Sequence, residues 1–246
     1  MTTAPSLLPS EILQYASEME LHRAVHGLAP SVAVFDCDGT LWAPDSGSGF
    51  MRWTIETELI SPESIAWLQE RYDRYNRGEV NELTICGEMV QVYAGLRVEE
   101  LRRAAASYFE EHIAAFIFPE MEQLVTDLQT RGVETWAVSS TNDWVVEEGL
   151  RRFNIPANRI LCARVASKNG VVTDRILAVP TDQGKVTALH GAGITHPDAV
   201  FGNSIHDAAM LSIARRAFPI NPSAALVERS VRESWCVYYP SLVRTI

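Results

Sequence analysis

Side chains that could bind a phosphate group and a divalent metal ion stand directly after short apolar runs of the sequence. Three such groups occur, each built from acids, hydroxyls or an amide: Asp36 with Asp38, Ser139 with Ser140, and Asn203 with Asp207. Carboxylate and amide oxygens are typical ligands of Mg²⁺. Hydroxyls and the ammonium group of Lys185, which opens a predicted helix, suit phosphate oxygens. These residue types indicate metal-assisted phosphate chemistry.

The apolar runs before these groups are typical of strands buried in a parallel sheet, because they are short, apolar and β-branched. Predicted strands alternate with predicted helices, and they cover residues 31–35, 133–138, 199–201, 217–220 and 235–238, with a β-hairpin at 160–176. This pattern predicts an α/β, Rossmann-like fold with a mostly parallel sheet and helices on both faces. Ligands of such sheets bind beyond the carboxyl ends of the strands, so we expect the three groups to meet there.

Residues 46–116 show helical patterns without the alternation of a strand. They predict an all-helical cap, inserted into a core formed by residues 1–45 and 117–246. The segment 43–49 is rich in Gly and Ser, which predicts a flexible hinge between core and cap. Closure of such a cap would exclude water from the site.

Composition restricts the class of partner. The chain has 246 residues, 47% of them hydrophobic, and a net charge of −10, which disfavours nucleic acid or an anionic membrane as main partner. Its four cysteines form no CxxC motif, and no apolar stretch approaches the roughly 20 residues of a membrane span. We therefore expect a cytoplasmic protein that acts on a small phosphorylated substrate. The oligomeric state stays open.

The polar groups resemble, in order and spacing, the four motifs of the haloacid-dehalogenase-like (HAD) phosphohydrolase superfamily. The matching elements are Asp36-Cys-Asp-Gly-Thr-Leu41, Ser139, Lys185 and Gly202-Asn-Ser-x-x-Asp207. The similarity extends to the phosphoserine-phosphatase-like branch, in which a helical cap lies between the first two motifs. It covers residues 31 to 239, and the 103 residues from Asp36 to Ser139 leave room for a cap.

This resemblance implies a Mg²⁺-dependent phosphomonoester hydrolase. Asp36 would attack phosphorus and form an aspartyl-phosphate, while Asp38 would protonate the leaving alcohol and later activate water. The implied ligands of substrate and phosphate are Thr40, which also supports the turn, Ser139, Ser140 and Lys185. The implied metal site comprises Asp36, Asp38 through its carbonyl, Asn203, and Asp207, which orients the other ligands.

Two positions depart from the family pattern. Asn203 stands where the fourth motif usually has Asp, and an uncharged amide predicts weaker metal binding. A catalytically weak phosphate-binding or regulatory protein therefore remains an alternative. A HAD-like phosphotransferase, which passes the phosphate to an alcohol instead of water, is a further alternative. A phospho-accepting receiver domain also uses acids, a hydroxyl and a lysine, but needs no insert of about 70 residues. Gly87 stands where phosphoserine phosphatases have an Arg for the substrate carboxylate, which argues against phosphoserine.

Residues near the hinge segment suggest a substrate class. Asp45 lies nine residues after Asp36, where the resembling phosphatases have an acid for the substrate amine. Trp42, Phe50 and Trp53 are close in sequence and could contact a cationic alcohol, such as an ethanolamine or choline phosphate, through cation–π interactions. Core packing is the alternative interpretation of these aromatic residues.

A second pattern lies outside the motifs. His22 and His26 are four residues apart near Glu18, on a helix predicted from Ser10 to Gly27. Two histidines at this spacing share one helix face and could bind a metal ion, although a solvated helix face is the simpler interpretation.

Overall fold

A computed structural model describes residues 12–244. Its strands are β1 (Val32–Phe35), β2 (Glu134–Asn142), β3 (Ile160–Lys168), β4 (Val171–Ala178), β5 (Ala199–Gly202) and β6 (Arg216–Pro219). They form one sheet in the order β4-β3-β2-β1-β5-β6, in which β3 and β4 are antiparallel and the other neighbours are parallel. The predicted α/β fold with a mostly parallel sheet is confirmed.

The helices follow the predicted alternation with the strands. They are α1 (Glu18–Gly27), α2 (Ser46–Glu56), α3 (Pro62–Asn76), α4 (Glu82–Gln91), α5 (Val98–His112), α6 (Pro119–Thr130), α7 (Asp143–Leu150), α8 (Gln183–Gly191), α9 (Ala208–Ser212), α10 (Ala224–Glu233) and α11 (Ser241–Arg244). Short 3₁₀ helices cover Ala114–Phe116, Ala157–Arg159 and Ile205–Asp207. No helix among residues 12–244 combines the length and apolar character that crossing a bilayer requires.

Both faces of the sheet are covered, as β1 illustrates. Phe35 points into one core, where its ring stacks on Phe201 with the ring centroids 4.4 Å apart. Val34, the preceding residue, points to the opposite face and belongs to a second core with Leu189 of α8 and Leu226 of α10. A strand that is buried on both faces needs apolar residues at every position, which explains the continuous apolar run.

Residues 46–116 are helical, with α2 to α5 and one 3₁₀ helix, and the structure describes no strand among them. Ser61 and Asn81 begin α3 and α4 by accepting hydrogen bonds from the backbone N–H groups of Ser64 and Thr84, as N-caps do. The all-helical character of the insert is confirmed. The boundaries of a separate cap domain remain a prediction.

Much of the Gly- and Ser-rich segment is helical and buried, whereas its composition predicted a flexible hinge. Helix α2 begins within it, at Ser46, and Ser46, Gly47 and Ser48 are buried. A Cβ atom at Gly47 would lie 2.6 Å from Thr141 Oγ1, and one at Gly49 would lie 2.0 Å from the hydroxyl oxygen of Tyr108. The glycines therefore allow the close packing of α2.

Three predicted boundaries also change. The strand β2 continues through Asn142, where the sequence predicted a polar turn from Ser139 onward. The predicted strand 235–238 is reduced to isolated bridges of Val237 and Tyr238. Helix α1 begins only after Ser17, whose side chain accepts a hydrogen bond from the Glu20 N–H. The first residues of the helix predicted from Ser10 lie outside the described residues.

Candidate active site

A cavity of about 270 Å³ lies beyond the carboxyl ends of β1, β2 and β5. Helices α2, α3 and α4 also contribute to its wall, so it lies between the sheet and the helical insert. The structure brings seven of the predicted site residues to this cavity: Asp36, Asp38, Asp45, Ser139, Ser140, Lys185 and Asn203. Parallel strands end at the same edge of a sheet, which is why segments far apart in sequence meet here.

Asp36 is buried and held at both carboxylate oxygens. Its Oδ1 lies 2.7 Å from Lys185 Nζ, and its Oδ2 accepts a hydrogen bond of 3.1 Å from the Thr40 hydroxyl. Burial and the nearby Asp207 carboxylate raise the pKa of Asp36 to about 7, although Lys185 opposes the shift. The carboxylate is thus fixed in orientation beside a cation.

Lys185 is buried between two acids. Its ammonium group donates to Asp36, to Asp207 Oδ1 at 2.5 Å and to the Val138 carbonyl at 3.2 Å. Burial lowers the pKa of Lys185, but the carboxylates of Asp207 and Asp36 raise it more, and the resulting pKa lies above that of an ordinary lysine. The ammonium group therefore keeps its charge inside the protein.

Asp207 lies behind the cavity and not on its wall. Its side chain is fully buried, and while Oδ1 binds Lys185, Oδ2 accepts hydrogen bonds from the backbone N–H groups of Asn203 and Ser204, each at 2.9 Å. Because Asp207 does not reach the cavity wall, it is not placed to bind the metal directly, and orienting the other ligands stays its predicted role. It positions Lys185 and the backbone at Asn203.

Asp38 is held by four hydrogen bonds. Oδ1 accepts from the Trp42 indole N–H at 2.6 Å, from Ser46 N at 3.0 Å and from Ser46 Oγ at 2.5 Å, and Oδ2 accepts from Thr141 Oγ1 at 2.7 Å. Burial and the Asp45 carboxylate raise the pKa of Asp38, against these hydrogen bonds. The sequence analysis missed Ser46 and Thr141 as partners of this acid.

Two residues predicted to contact the substrate are absent from the cavity wall. Trp42 is fully buried against Phe109 and reaches the site only through its hydrogen bond to Asp38. Thr40 is also fully buried and contacts Asp36. Both are positioning residues, because their polar atoms are turned toward catalytic candidates and not toward the cavity. Phe50 and Trp53 stack on each other and pack in the core.

Ser139 and Ser140 line the cavity at the end of β2. Ser139 is buried, and its hydroxyl oxygen accepts a hydrogen bond of 3.1 Å from the Thr141 N–H. The Ser139 O–H hydrogen is then available to an acceptor in the cavity, since a hydroxyl accepts and donates at once.

Asn203 follows β5 and packs against the turn after β1. Gly39, with φ of +71°, faces it so closely that a Cβ atom there would lie 1.8 Å from Asn203 Nδ2. Only glycine fits this approach, and it places the Asn203 amide beside the Asp38–Gly39 peptide. The oxygen-bearing groups of Asp36, Asp38 and Asn203 on one wall are the hard donors that Mg²⁺ takes, so this donor set fits the ion.

The cavity wall includes residues that the sequence analysis did not identify. The insert contributes Tyr72, Tyr75 and Glu82, and the fourth motif contributes His206. Tyr75 donates a hydrogen bond of 2.5 Å to Glu82 Oε2, and His206 Nε2 lies 3.8 Å from the same oxygen. The Tyr72 and Tyr75 rings lie 6.0 Å apart. Tyr72 and Tyr75 are three residues apart on α3, so the sequence indicates that they share a helix face. It does not indicate whether that face contacts the core or a cavity.

Gly87 does not lie on this wall. A Cβ atom there would meet the Ile176 side chain of β4 at 2.9 Å. Position 87, which corresponds to the predicted arginine position of phosphoserine phosphatases, is therefore not part of the cavity wall. Among the described residues no arginine lines the cavity.

Proteins of known name or structure are similar to this chain in sequence or in fold. A histidinol-phosphatase from Neisseria meningitidis serogroup C (strain 8013) is 24% identical over 217 residues, which are 84% of this chain and 97% of that protein. A protein of unknown function from Bordetella pertussis Tohama I has a similar structure, with a TM-score of 0.74, 23% identity and coverage of 84% of this chain and 97% of that one. A substrate-bound phosphoserine phosphatase structure matches with a TM-score of 0.59 and 16% identity, covering 85% and 92% of the two chains.

The family is shown by a match to a protein-family model. Residues 33–212, most of the chain, match the model of the haloacid dehalogenase-like hydrolases. The match includes Asp36, Asp38, Ser139, Lys185 and Asn203, which line one cavity. The protein therefore belongs to the haloacid dehalogenase-like hydrolase family.

Proposed function

We propose that the protein is a Mg²⁺-dependent phosphomonoester hydrolase that acts on a small phosphorylated metabolite through an aspartyl-phosphate on Asp36. The observation that carries this proposal is the arrangement of Asp36 against the buried ammonium group of Lys185, with the separately held Asp38 on the same cavity. A nucleophile, a cation and a second acid are what this two-step hydrolysis requires. The name of the Neisseria relative, a phosphatase, points the same way.

In the first step a carboxylate oxygen of Asp36 attacks phosphorus, and the P–O bond to the alcohol breaks. Asp38 gives its proton to the departing alkoxide, so that a neutral alcohol leaves. The raised pKa of Asp38 is in the direction that a general acid needs near neutral pH. Because a hydroxyl can donate or accept, Thr141 can keep its contact with either protonation state of Asp38.

In the second step water attacks the phosphorus of the aspartyl-phosphate. Asp38, now ionised, accepts a proton from this water, and inorganic phosphate and the free Asp36 carboxylate result. Throughout, Lys185 offsets negative charge at Asp36, and Ser139 offers its hydroxyl hydrogen to the phosphoryl group.

The metal would be held by the Asp36 side chain, the Asp38 carbonyl and the Asn203 side chain. When bound, Mg²⁺ reduces the repulsion between the Asp36 carboxylate and the phosphate dianion.

Hydrolysis of an aryl phosphate with and without EDTA tests the proposal. We expect turnover in Mg²⁺, loss of nearly all activity with excess EDTA, and recovery when Mg²⁺ is added back in excess. Release of inorganic phosphate that does not depend on added alcohol distinguishes a hydrolase from a phosphotransferase. Full activity in EDTA after dialysis would contradict the metal requirement, and a complete lack of turnover would favour a regulatory protein.

Restoring an acid at position 203 should strengthen metal binding. We expect Asn203→Asp to lower the Mg²⁺ concentration for half-maximal activity by about tenfold, because metal affinity rises with the charge of the ligands. The measurement is a Mg²⁺ titration of aryl phosphate hydrolysis. Asn221→Asp is the matched control, since it adds the same charge to the cavity wall at a residue that is not a proposed ligand. An equal shift in both variants would show a general charge effect and contradict the assignment.

We further propose a substrate that carries a cationic amine and no carboxylate. The cavity is lined by the acids Asp45 and Glu82 besides the two catalytic candidates, and by the rings of Tyr72 and Tyr75. An ammonium or imidazolium group suits such acids and rings, whereas a substrate carboxylate would meet no arginine of the described residues. Phosphorylated amino alcohols, among them histidinol phosphate, fit this description.

A substrate panel with two charge-neutralising variants tests this class. We expect higher kcat/KM for histidinol phosphate, phosphoethanolamine and phosphocholine than for phosphoserine or glycerol phosphate. Asp45→Asn keeps a good N-cap residue for α2 and removes one charge, and Glu82→Gln removes the other. Each should reduce kcat/KM for the amines about tenfold, the effect of roughly 1.4 kcal/mol, and spare glycerol phosphate. Equal rates across the panel would overturn the substrate class but leave the hydrolase proposal intact.

A further inference from the structure

Three electron-pair donors converge on the side of the molecule formed by α1 and α6. His22 and His26 lie one turn apart on α1, and Asp127 faces them from α6. The Oδ2 atom of Asp127 lies 3.9 Å from His22 Nδ1 and 4.0 Å from His26 Nε2, and one ligand atom from each residue falls within 4.8 Å of the others. None of the three residues lines the catalytic cavity.

The hydrogen bond of His22 determines which of its nitrogens can bind a metal. His22 Nε2 lies 3.2 Å from the Glu120 carbonyl oxygen, which can only accept, so Nε2 carries the hydrogen. In neutral His22 the lone pair is then on Nδ1, the atom that faces Asp127. A histidine that binds a metal through one nitrogen usually donates from the other to a carbonyl or carboxylate, as His22 does here.

His26 is also suited to act as a neutral ligand. Burial lowers its pKa, and Arg131 and His22 lower it further, against the opposite effect of Asp127. A neutral imidazole forms no ion pair with Asp127, but it has a lone pair that can bind a cation. The Nδ1 atom of His26 is buried and has no hydrogen-bond partner in the part of the chain that the structure describes.

We propose that His22 Nδ1, His26 Nε2 and Asp127 Oδ2 form a second metal site, which binds a divalent transition ion such as Zn²⁺ and joins α1 to α6. Imidazole nitrogens with one carboxylate favour Zn²⁺, Co²⁺, Ni²⁺ or Cu²⁺, whereas Mg²⁺ prefers the oxygen ligands of the catalytic cavity. Bonds of about 2.0–2.2 Å require donors about 3.3 Å apart in a tetrahedral site. The donors now lie up to 4.8 Å apart, so they must approach one another by about 0.6 to 1.5 Å. Side-chain rotations allow this approach, because all three side chains are partly exposed.

The local charge favours a cation. Glu18 lies one turn before His22 on α1, and its Oε1 is 3.8 Å from His22 Nε2. Two carboxylates, those of Glu18 and Asp127, therefore lie near the site and outweigh the positive charge of Arg131 beside His26. The remaining coordination positions of the ion would be taken by water. The proposal does not depend on the phosphatase activity, because no residue is shared between the two sites.

Zn²⁺ binding to the full chain in the presence of excess Mg²⁺ tests the site. We expect one Zn²⁺ per chain by calorimetry, and a visible absorption band of nitrogen- and oxygen-bound Co²⁺ with that ion. His26→Gln and Asp127→Asn should each weaken binding by at least about tenfold, since the loss even of an outer hydrogen-bond partner costs that much. His196→Gln, at an exposed histidine away from the site, is the matched control and should bind like the wild type.

Thermal unfolding gives a second readout that is independent of activity. Zn²⁺ should raise the Tm of the wild type and of His196→Gln, but not of His26→Gln or Asp127→Asn, while the Tm values without metal stay similar. If either His26→Gln or Asp127→Asn does not fold, Zn²⁺ binding by the other variant still tests the site. No Zn²⁺ binding in excess Mg²⁺, or binding that both variants retain, would overturn the proposal and place any bound ion elsewhere.

Discussion

Asp36→Asn should abolish turnover, with a reduction in kcat of at least about a thousandfold for every substrate. An amide has nearly the same shape as a carboxylate, but it lacks the nucleophilic oxygen that forms the aspartyl-phosphate. The substitution also removes the negative charge that lies 2.7 Å from Lys185 Nζ. The measurement combines steady-state kinetics with rapid acid quenching of enzyme mixed with labelled substrate, which traps a phosphorylated chain in the wild type.

The quench experiment separates chemistry from folding. Asp36→Asn should bind inorganic phosphate and keep the circular dichroism spectrum of the wild type, yet never become labelled. Asp38→Asn is the variant for comparison. Because Asp36 stays intact in it, the chain should still become phosphorylated, but more slowly than the wild type. Labelling of Asp36→Asn, or turnover within a factor of ten of the wild type, would place the nucleophile elsewhere.

Lys185→Met should destabilise the fold by about 3–5 kcal/mol, as removal of one partner from a buried ion pair does. The substitution leaves the buried carboxylates of Asp36 and Asp207 without the ammonium group that lies 2.7 and 2.5 Å from them. Activity should fall as well, because Asp36 loses the cation beside it. Urea unfolding at constant pH measures the change in the free energy of unfolding.

The destabilisation by Lys185→Met should grow as the pH rises. The pKa of Asp36 is already raised, to about 7, so its ionisation works against folding as the pH rises from about 4 to about 7. Without Lys185 that pKa rises further, and the folded state then binds more protons than the unfolded chain over a wider range. The variant should therefore lose more stability, relative to the wild type, near pH 8 than near pH 5.

The sequence offers one matched control for this prediction. Lys168 is the only other lysine, and it is exposed at the end of β3. Lys168→Met removes the same charge and should change the free energy of unfolding by less than about 0.5 kcal/mol at either pH. Equal effects of the two substitutions would contradict the proposed role of the buried pair.

The sequence by itself determined the sheet and the catalytic candidates of the site. Apolar runs such as 32–35 must be buried, and a polar turn such as Asp36–Asp38 that follows one must lie at a carboxyl edge. These are local patterns, so they can be recognised without knowing the rest of the fold. Lys185 and Asn203 were found in the same way, by their order and spacing relative to that turn.

The tertiary structure alone decided which residues hold the catalytic candidates in place and which residues surround them. Thr141 is 103 residues from Asp38, with which it makes a hydrogen bond, and Glu82 meets His206 only because α4 packs over the sheet. Composition also could not distinguish two uses of glycine: Gly47 could have been a hinge, but its missing side chain admits Thr141. Contacts between distant segments depend on how the elements pack, and local patterns do not specify that packing.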